Sequence, residues 1–252
     1  MRHPSLIVKR LAACAALLLC AAVPRPAGAE PGYYVVTAYD NAGLVGADFR
    51  YWSVAMPGRP GVIWPEVGVL WGVTSRWTTE LYGSYVGVDW SGSRLETLNW
   101  QNEFLLTQGE YPFDLALHAR VIEHQARVGG GHGLEWGPVL QTDVGRTQLN
   151  ANVFVERRWA STQPASTELK YQWQVRYRYR RGLHVGAQGF GELGPWDHWL
   201  SDNRQSHRAG PAIFGTLPIG RDQPWTYQAS YLFGRVFGQQ GRMLSIRVLA
   251  AF

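Results

Sequence analysis

Cysteine is confined to the first residues: Cys14 and Cys20 are the only two, and nothing after them carries a thiol. A chain from which that segment has been removed has no disulfide framework, no cysteine-ligated metal and no cysteine nucleophile. Past residue 29 no apolar run approaches the roughly 18 residues that a membrane-spanning helix requires. Methionine is also scarce, with only Met56 and Met243 beyond the first residue, which argues against copper handling. The histidines, His118, His124 and His184 among them, do not fall at metal-ligand spacings. These absences leave no catalytic, cofactor-binding or metal-binding residues to nominate.

The amino-terminal segment accounts for most of the apparent basicity. Arg2, Lys9 and Arg10 precede an apolar run from Leu11 to Val23, and Ala27-Gly28-Ala29 offers a small-x-small cleavage site before Glu30. This pattern predicts a cleaved secretory signal peptide over residues 1–29, too short to span a bilayer as a helix. Leu19 is too bulky for a lipoprotein site at Cys20. The whole chain carries 24 basic and 19 acidic residues, and four of the basic ones (Arg2, Lys9, Arg10 and Arg25) lie in the signal. The remainder is near neutral, which removes the electrostatic basis for binding nucleic acid.

What the chain does have is aromatic residues, glycine and a period of two. Apolar and polar residues alternate in blocks separated by turn-rich connections. Short connections at Ser75-Arg76, Gly109 to Pro112, Gly145-Arg146, Arg181-Gly182 and Gly220 to Pro224 alternate with longer ones. The longer ones run from Met56 to Gly61, Trp90 to Ser93, Val128 to His132, Ala160 to Ser166, Pro195 to Gln205 and Gly238 to Gly241. Together they predict about 12 antiparallel strands between residues 44 and 252, with both ends on the periplasmic side. The fold class is therefore all-β, a transmembrane β-barrel, because soluble sandwiches use shorter strands and Greek-key crossings. Residues 30–43, including "YYVVTAYD" at 33–40, form a lead-in that is either periplasmic or lumenal.

The alternation also sorts the faces. In "LKYQWQVRYRYR" the residues Leu169, Tyr171, Trp173, Val175, Tyr177 and Tyr179 alternate with Lys170, Gln172, Gln174, Arg176, Arg178 and Arg180. An arginine on the lipid face costs about 2–4 kcal/mol near the bilayer midplane, so the charged set must point inward. On this basis the candidate lumen-lining residues are Arg50, Asp114, Arg120, Glu156, Lys170, Gln172, Gln174, Arg176, Arg178, Arg180 and Glu192. Acidic residues such as Asp48, Glu66, Glu80, Glu103, Glu135 and Asp143 can meet them, so the interior carries both signs. Trp77, Trp159, Tyr179 and Trp225, near block ends, suit the headgroup level.

Two loop motifs carry no chemistry. "GGGHG" at Gly129–Gly133 lacks the Lys-Ser/Thr of a phosphate loop. Asp197, His198, Ser201, Asp202 and His207 are close in sequence, but a hydrolase needs its serine, histidine and acid within hydrogen-bond reach.

The last strand, "MLSIRVLAAF", places Leu244, Ile246, Val248 and Ala250 on one face and ends on Phe252. It resembles the carboxy-terminal strand of outer-membrane proteins, which implies recognition of Phe252 by the barrel-assembly machinery. "GVTSRWTTELYG", "DVGRTQLNANVFVER", "YRYRRGLHVGAQGFGELG" and "HRAGPAIFG" are similar to a group of proteobacterial outer-membrane proteins loosely described as transporters or linked to phenol degradation. That resemblance covers residues 66 to 252 and implies an outer-membrane barrel with small-solute passage. The expected function is thus a narrow channel for small solutes, embedded in outer-membrane lipid. The alternatives are a closed structural or envelope-assembly barrel, or an outer-membrane lipid-modifying hydrolase.

Overall fold

The computed structural model describes residues 33–162, 165–219, 224–236 and 238–252; the signal peptide lies outside the described residues. Twelve strands run in chain order: β1 (Val45–Ala55), β2 (Val62–Thr74), β3 (Trp77–Val86), β4 (Arg94–Leu105), β5 (Asp114–His124) and β6 (His132–Val144), then β7 (Thr147–Trp159), β8 (Thr167–Arg180), β9 (Leu183–Pro195), β10 (Ser206–Pro218), β11 (Pro224–Val236) and β12 (Gln239–Ala251). Each pairs antiparallel with its sequence neighbours, and β1 pairs with β12, from Gly46 opposite Ala251 to Ala55 opposite Arg242. The sheet is closed and leaves no unpaired edge, the condition for placing strands in lipid. Strands of 10 to 14 residues match the reach of a tilted bilayer-spanning strand.

The two faces separate as the alternation requires. Val67, Val69, Trp71, Leu81, Leu98, Trp100, Val121, Val153, Ile213 and Phe233 point outward and are exposed. An apolar belt of this extent is not tolerated on a soluble monomer, whose apolar patches rarely exceed a few hundred Å². In a bilayer it is the lipid contact surface.

One end of the barrel carries both barrel termini and the connections β2–β3, β4–β5, β6–β7, β8–β9 and β10–β11; it is called the turn end here, and the opposite end the loop end. Tight turns at Gly145-Arg146 and Arg181-Gly182 rest on positive φ at Gly145 (60°) and Gly182 (80°), a conformation that a Cβ disfavours. The strict alternation of short and long connections does not hold, however. The β11–β12 connection at the loop end consists only of residues 237 and 238, whereas the turn-end β4–β5 connection spans residues 106–113. Gln239, Gln240 and Gly241 pair with Val236, Arg235 and Gly234 and so belong to the strand. Backbone pairing extends the ladder through residues whose composition suggests a loop.

Residues 33–43 precede β1 and lie inside the barrel. The segment begins among Trp52, Val54, Leu232, Val236 and Met243, near the loop end, and reaches the turn end where the Gly43 N–H donates to the Gly72 carbonyl at 2.9 Å. There the chain turns into β1.

Candidate functional site

The lumen is organised around this internal segment. It is extended, so successive side chains point to opposite walls. Tyr33 and Val35 pack on Trp52, Val54, Phe190, Leu232, Val236 and Met243. Tyr34, Val36 and Ala38 pack on Leu105, Ala116, Val139 and Phe154. Tyr33, Tyr34, Val35 and Val36 are each 5% exposed or less. Hydrogen bonds fix the register: the Val36 N–H donates to Gln172 Oε1 at 3.1 Å, Asn152 Nδ2 donates to the Val36 carbonyl at 2.8 Å, and Ser245 Oγ donates to the Tyr33 carbonyl at 2.6 Å. Nearer the turn end, the Tyr39 hydroxyl donates to Gln148 Oε1 at 2.6 Å. Such satisfied polar groups are what allow a backbone to lie within a barrel.

Charged side chains form two linked networks around the segment. In the first, Arg50 on β1 and Arg247 on β12 stand directly opposite each other across the closing seam. Like charges in that position repel. Asp48 resolves the repulsion by accepting from Arg50 Nε at 3.0 Å and from Arg247 Nε at 2.8 Å. Arg50 also contacts Glu80, and its Nη1 lies 3.6 Å from Glu66. In the second, Glu135 and Glu156 oppose each other between β6 and β7. Lys170 sits between them, 3.0 Å from Glu135 and in contact with Glu156, while Arg120 Nη2 is 3.1 Å from Glu135. His118 bridges Glu103 at 2.6 Å and Glu135 at 3.2 Å. Tyr82 joins the two networks, its hydroxyl accepting from Arg120 at 3.0 Å and its ring lying 4.5 Å from the Arg50 guanidinium.

The cations also clamp the segment. Arg50 stands 3.9 Å and Arg247 4.7 Å from the centre of the Tyr34 ring, and Arg208 stands 4.3 Å from that of Tyr33. Cation–π contacts of this kind gain strength when desolvated.

Among the sequence-derived candidates, Arg50, Arg120, Glu156, Lys170, Gln172 and Gln174 are buried in the lumen. Glu192 meets Arg208 and accepts from the Tyr33 hydroxyl at 3.3 Å. Arg176 lines a turn-end cavity, whereas Arg178 pairs with Asp143 at the turn-end rim. Arg180, at the end of β8, is exposed, and Asp114 accepts from the Gly109 N–H at 2.9 Å in the β4–β5 connection. Arg208 and Arg247 were absent from the candidate set, although parity reveals Arg247, the inward neighbour of outward Ile246 and Val248. The apolar inward residues Phe154, Ile122 and Leu232 have no charge to mark their face.

Below the segment, toward the turn end, lies a cavity of about 300 Å³. Its lining includes Arg176, Phe214, Gln228, Leu249 and the segment residues Tyr34, Val35, Val36, Thr37 and Tyr39. The loop between β9 and β10 assembles no triad. Ser201 Oγ donates to Asn203, His198 contacts Asp197, and His207 contacts Tyr171 and Gln205.

No protein-family model and no curated protein sequence matches the chain. Solved structures do match in shape. An outer-membrane channel from Pseudomonas putida F1 superposes with a TM-score of 0.61 at 12% identity, over 89% of this chain and all of that one. The NanC porin superposes with a TM-score of 0.57 at 9% identity, over 82% of this chain and 98% of its own. At such identities the likeness is one of fold, and neither comparison bears on phenol. The closed barrel of 12 antiparallel strands, with an apolar belt outside and a polar, ion-paired interior, shares its architecture with these outer-membrane channel and porin structures.

Proposed function

We propose that this protein is an outer-membrane channel for small solutes whose lumen is occluded by its own amino-terminal segment, with the turn end facing the periplasm. The observation that carries this reading is the manner of closure. Residues 33–38 fill the centre of the barrel through side-chain packing and a few hydrogen bonds. Their chain connection to the wall is at the turn end, through Leu44 to β1. The walls around them are rich in Gln, Asn, Ser and Thr, groups that can hydrate a passing solute once the segment withdraws.

The ion-pair networks favour a second reading, a permanently closed barrel with a structural role in the envelope. Liposomes containing the wild-type protein or a variant lacking residues 33–41 separate the two. A channel lets small sugars and amino acids pass, faster in the deletion variant. Impermeability of both, with each shown to be folded, would establish the closed barrel instead.

A further inference from the structure

Arg176 and Arg247 both line the turn-end cavity, and Arg176 differs from Arg247 and from the cations around the segment in how its charge is satisfied. Arg50, Arg120, Lys170, Arg208 and Arg247 each meet at least one carboxylate. Arg176 does not, among the described residues. Its Nε donates to His184 Nδ1 at 2.8 Å, and its guanidinium stands 5.3 Å from the centre of the Phe214 ring. Asp143, the acid on the neighbouring turn, is taken by Arg178 at 2.9 Å. Among the described residues, the remaining guanidinium N–H groups meet no acceptor.

A second donor on the same wall is in the same condition. Gln228 lies directly opposite Phe214 between β10 and β11, and its amide nitrogen is buried with no acceptor. Phe214 in turn lies opposite His184, the partner of Arg176. Arg176, Phe214 and Gln228 thus form one continuous wall made of a cationic donor, an aromatic ring and an amide donor. Leu70 and Leu249 add apolar surface to the cavity, and Glu80 and Glu103 also line it. Both acids are already engaged, Glu80 by Arg50 and Glu103 by His118. Their charge nevertheless opposes a second negative group on a ligand.

We propose that this cavity binds small monocarboxylates with an apolar body, the carboxylate meeting Arg176 and the apolar part lying along Phe214 and Leu249. A cavity-lining guanidinium that meets no carboxylate among the described residues calls for an anion, and planar guanidinium groups suit carboxylates in particular. A cavity of about 300 Å³ is at the small end of ligand pockets. The inference rests on the channel reading only in taking such a monocarboxylate as the permeant solute.

Calorimetric titration of the full-length folded protein in detergent tests the site directly, with benzoate as probe and benzyl alcohol as its uncharged counterpart. Benzoate should bind saturably and more tightly than benzyl alcohol. Arg176→Gln should weaken benzoate about tenfold, the loss of one charge-assisted hydrogen bond. Arg176→Lys should recover part of the affinity, and Arg76→Gln, at an exposed pair with Glu110, should leave it near wild type. Heat-modifiable gel mobility verifies that each variant is folded. Absence of saturable benzoate binding, equal binding of benzyl alcohol, or unchanged affinity in Arg176→Gln would overturn the proposal. Because titration in detergent requires no permeation, binding with impermeable liposomes would refute the channel alone, and permeability without binding would refute the site alone.

Discussion

Truncating Tyr34 should open the barrel. Its ring is sandwiched by Arg50 and Arg247, its hydroxyl contacts Gln101, and it packs among Leu105, Ala116 and Phe154 with 5% of its surface exposed. Replacing a buried aromatic residue by alanine costs about 3–5 kcal/mol. That loss falls on the docked segment, because the barrel wall keeps its backbone pairing whether or not the segment is in place. Since about 1.4 kcal/mol corresponds to a tenfold change in an equilibrium, Tyr34→Ala should raise the undocked fraction by roughly two to four orders of magnitude. Single-channel recording in planar bilayers reads this fraction as open probability. Brief, rare openings in the wild type should become frequent in Tyr34→Ala and continuous in a variant lacking residues 33–41. If both variants fold, as shown by heat-modifiable mobility, and both conduct no more than the wild type, the segment does not control the path and the reasoning fails.

Other consequences follow from burial and charge. Arg50→Gln strands Glu66 and Glu80 inside the barrel, while Asp48 keeps Arg247, and breaking a buried ion pair from one side costs about 3–5 kcal/mol, visible as a lower urea midpoint. Arg76→Gln removes a half-exposed pair with Glu110 and should change stability by less than about 1 kcal/mol in the same assay. Leu81, outward and 64% exposed in the middle of β3, should resist a charge: Leu81→Arg should destabilise the bilayer-inserted barrel by about 2–4 kcal/mol. We further propose that Phe252 acts as an assembly signal, so Phe252→Ala should lower the amount of barrel inserted in cells and leave refolding in detergent unchanged. Equal insertion in cells would refute that role.

Much of the wall could be read from the sequence because lipid makes the rule strict. Lys170, Gln172 and Gln174 had to point inward once Tyr171, Trp173 and Val175 pointed out, and pairing across β7 and β8 follows that parity without interruption from Arg157 to Thr147. The interior was less legible. Parity places Phe154, Ile122 and Leu232 inward, between outward neighbours, but nothing in their own strands says what covers them. Their explanation lies far away in sequence, at Tyr33 to Ala38. The run "YYVV" did hold a signal: an extended segment apolar on both faces is one that is covered on both faces. The β11–β12 connection misled for a different reason. Gln239, Gln240 and Gly241 have the composition of a loop, but ladder pairing at the end of a closed sheet depends on the neighbouring strand more than on intrinsic preference.

The internal segment also constrains how the barrel can be made. It passes up the inside of a sheet whose closing contact joins the first strand to the last, the pairing with the greatest separation along the chain. Bringing such distant partners together is the costliest and slowest step in forming the sheet. The segment is continuous with β1, so it lies beside that seam when the seam closes, and Arg247, which holds Tyr34, arrives on β12 only at that moment. A chain whose segment is missing or delayed would close around water, and the two facing arginines at the seam would lose Tyr34 from between them.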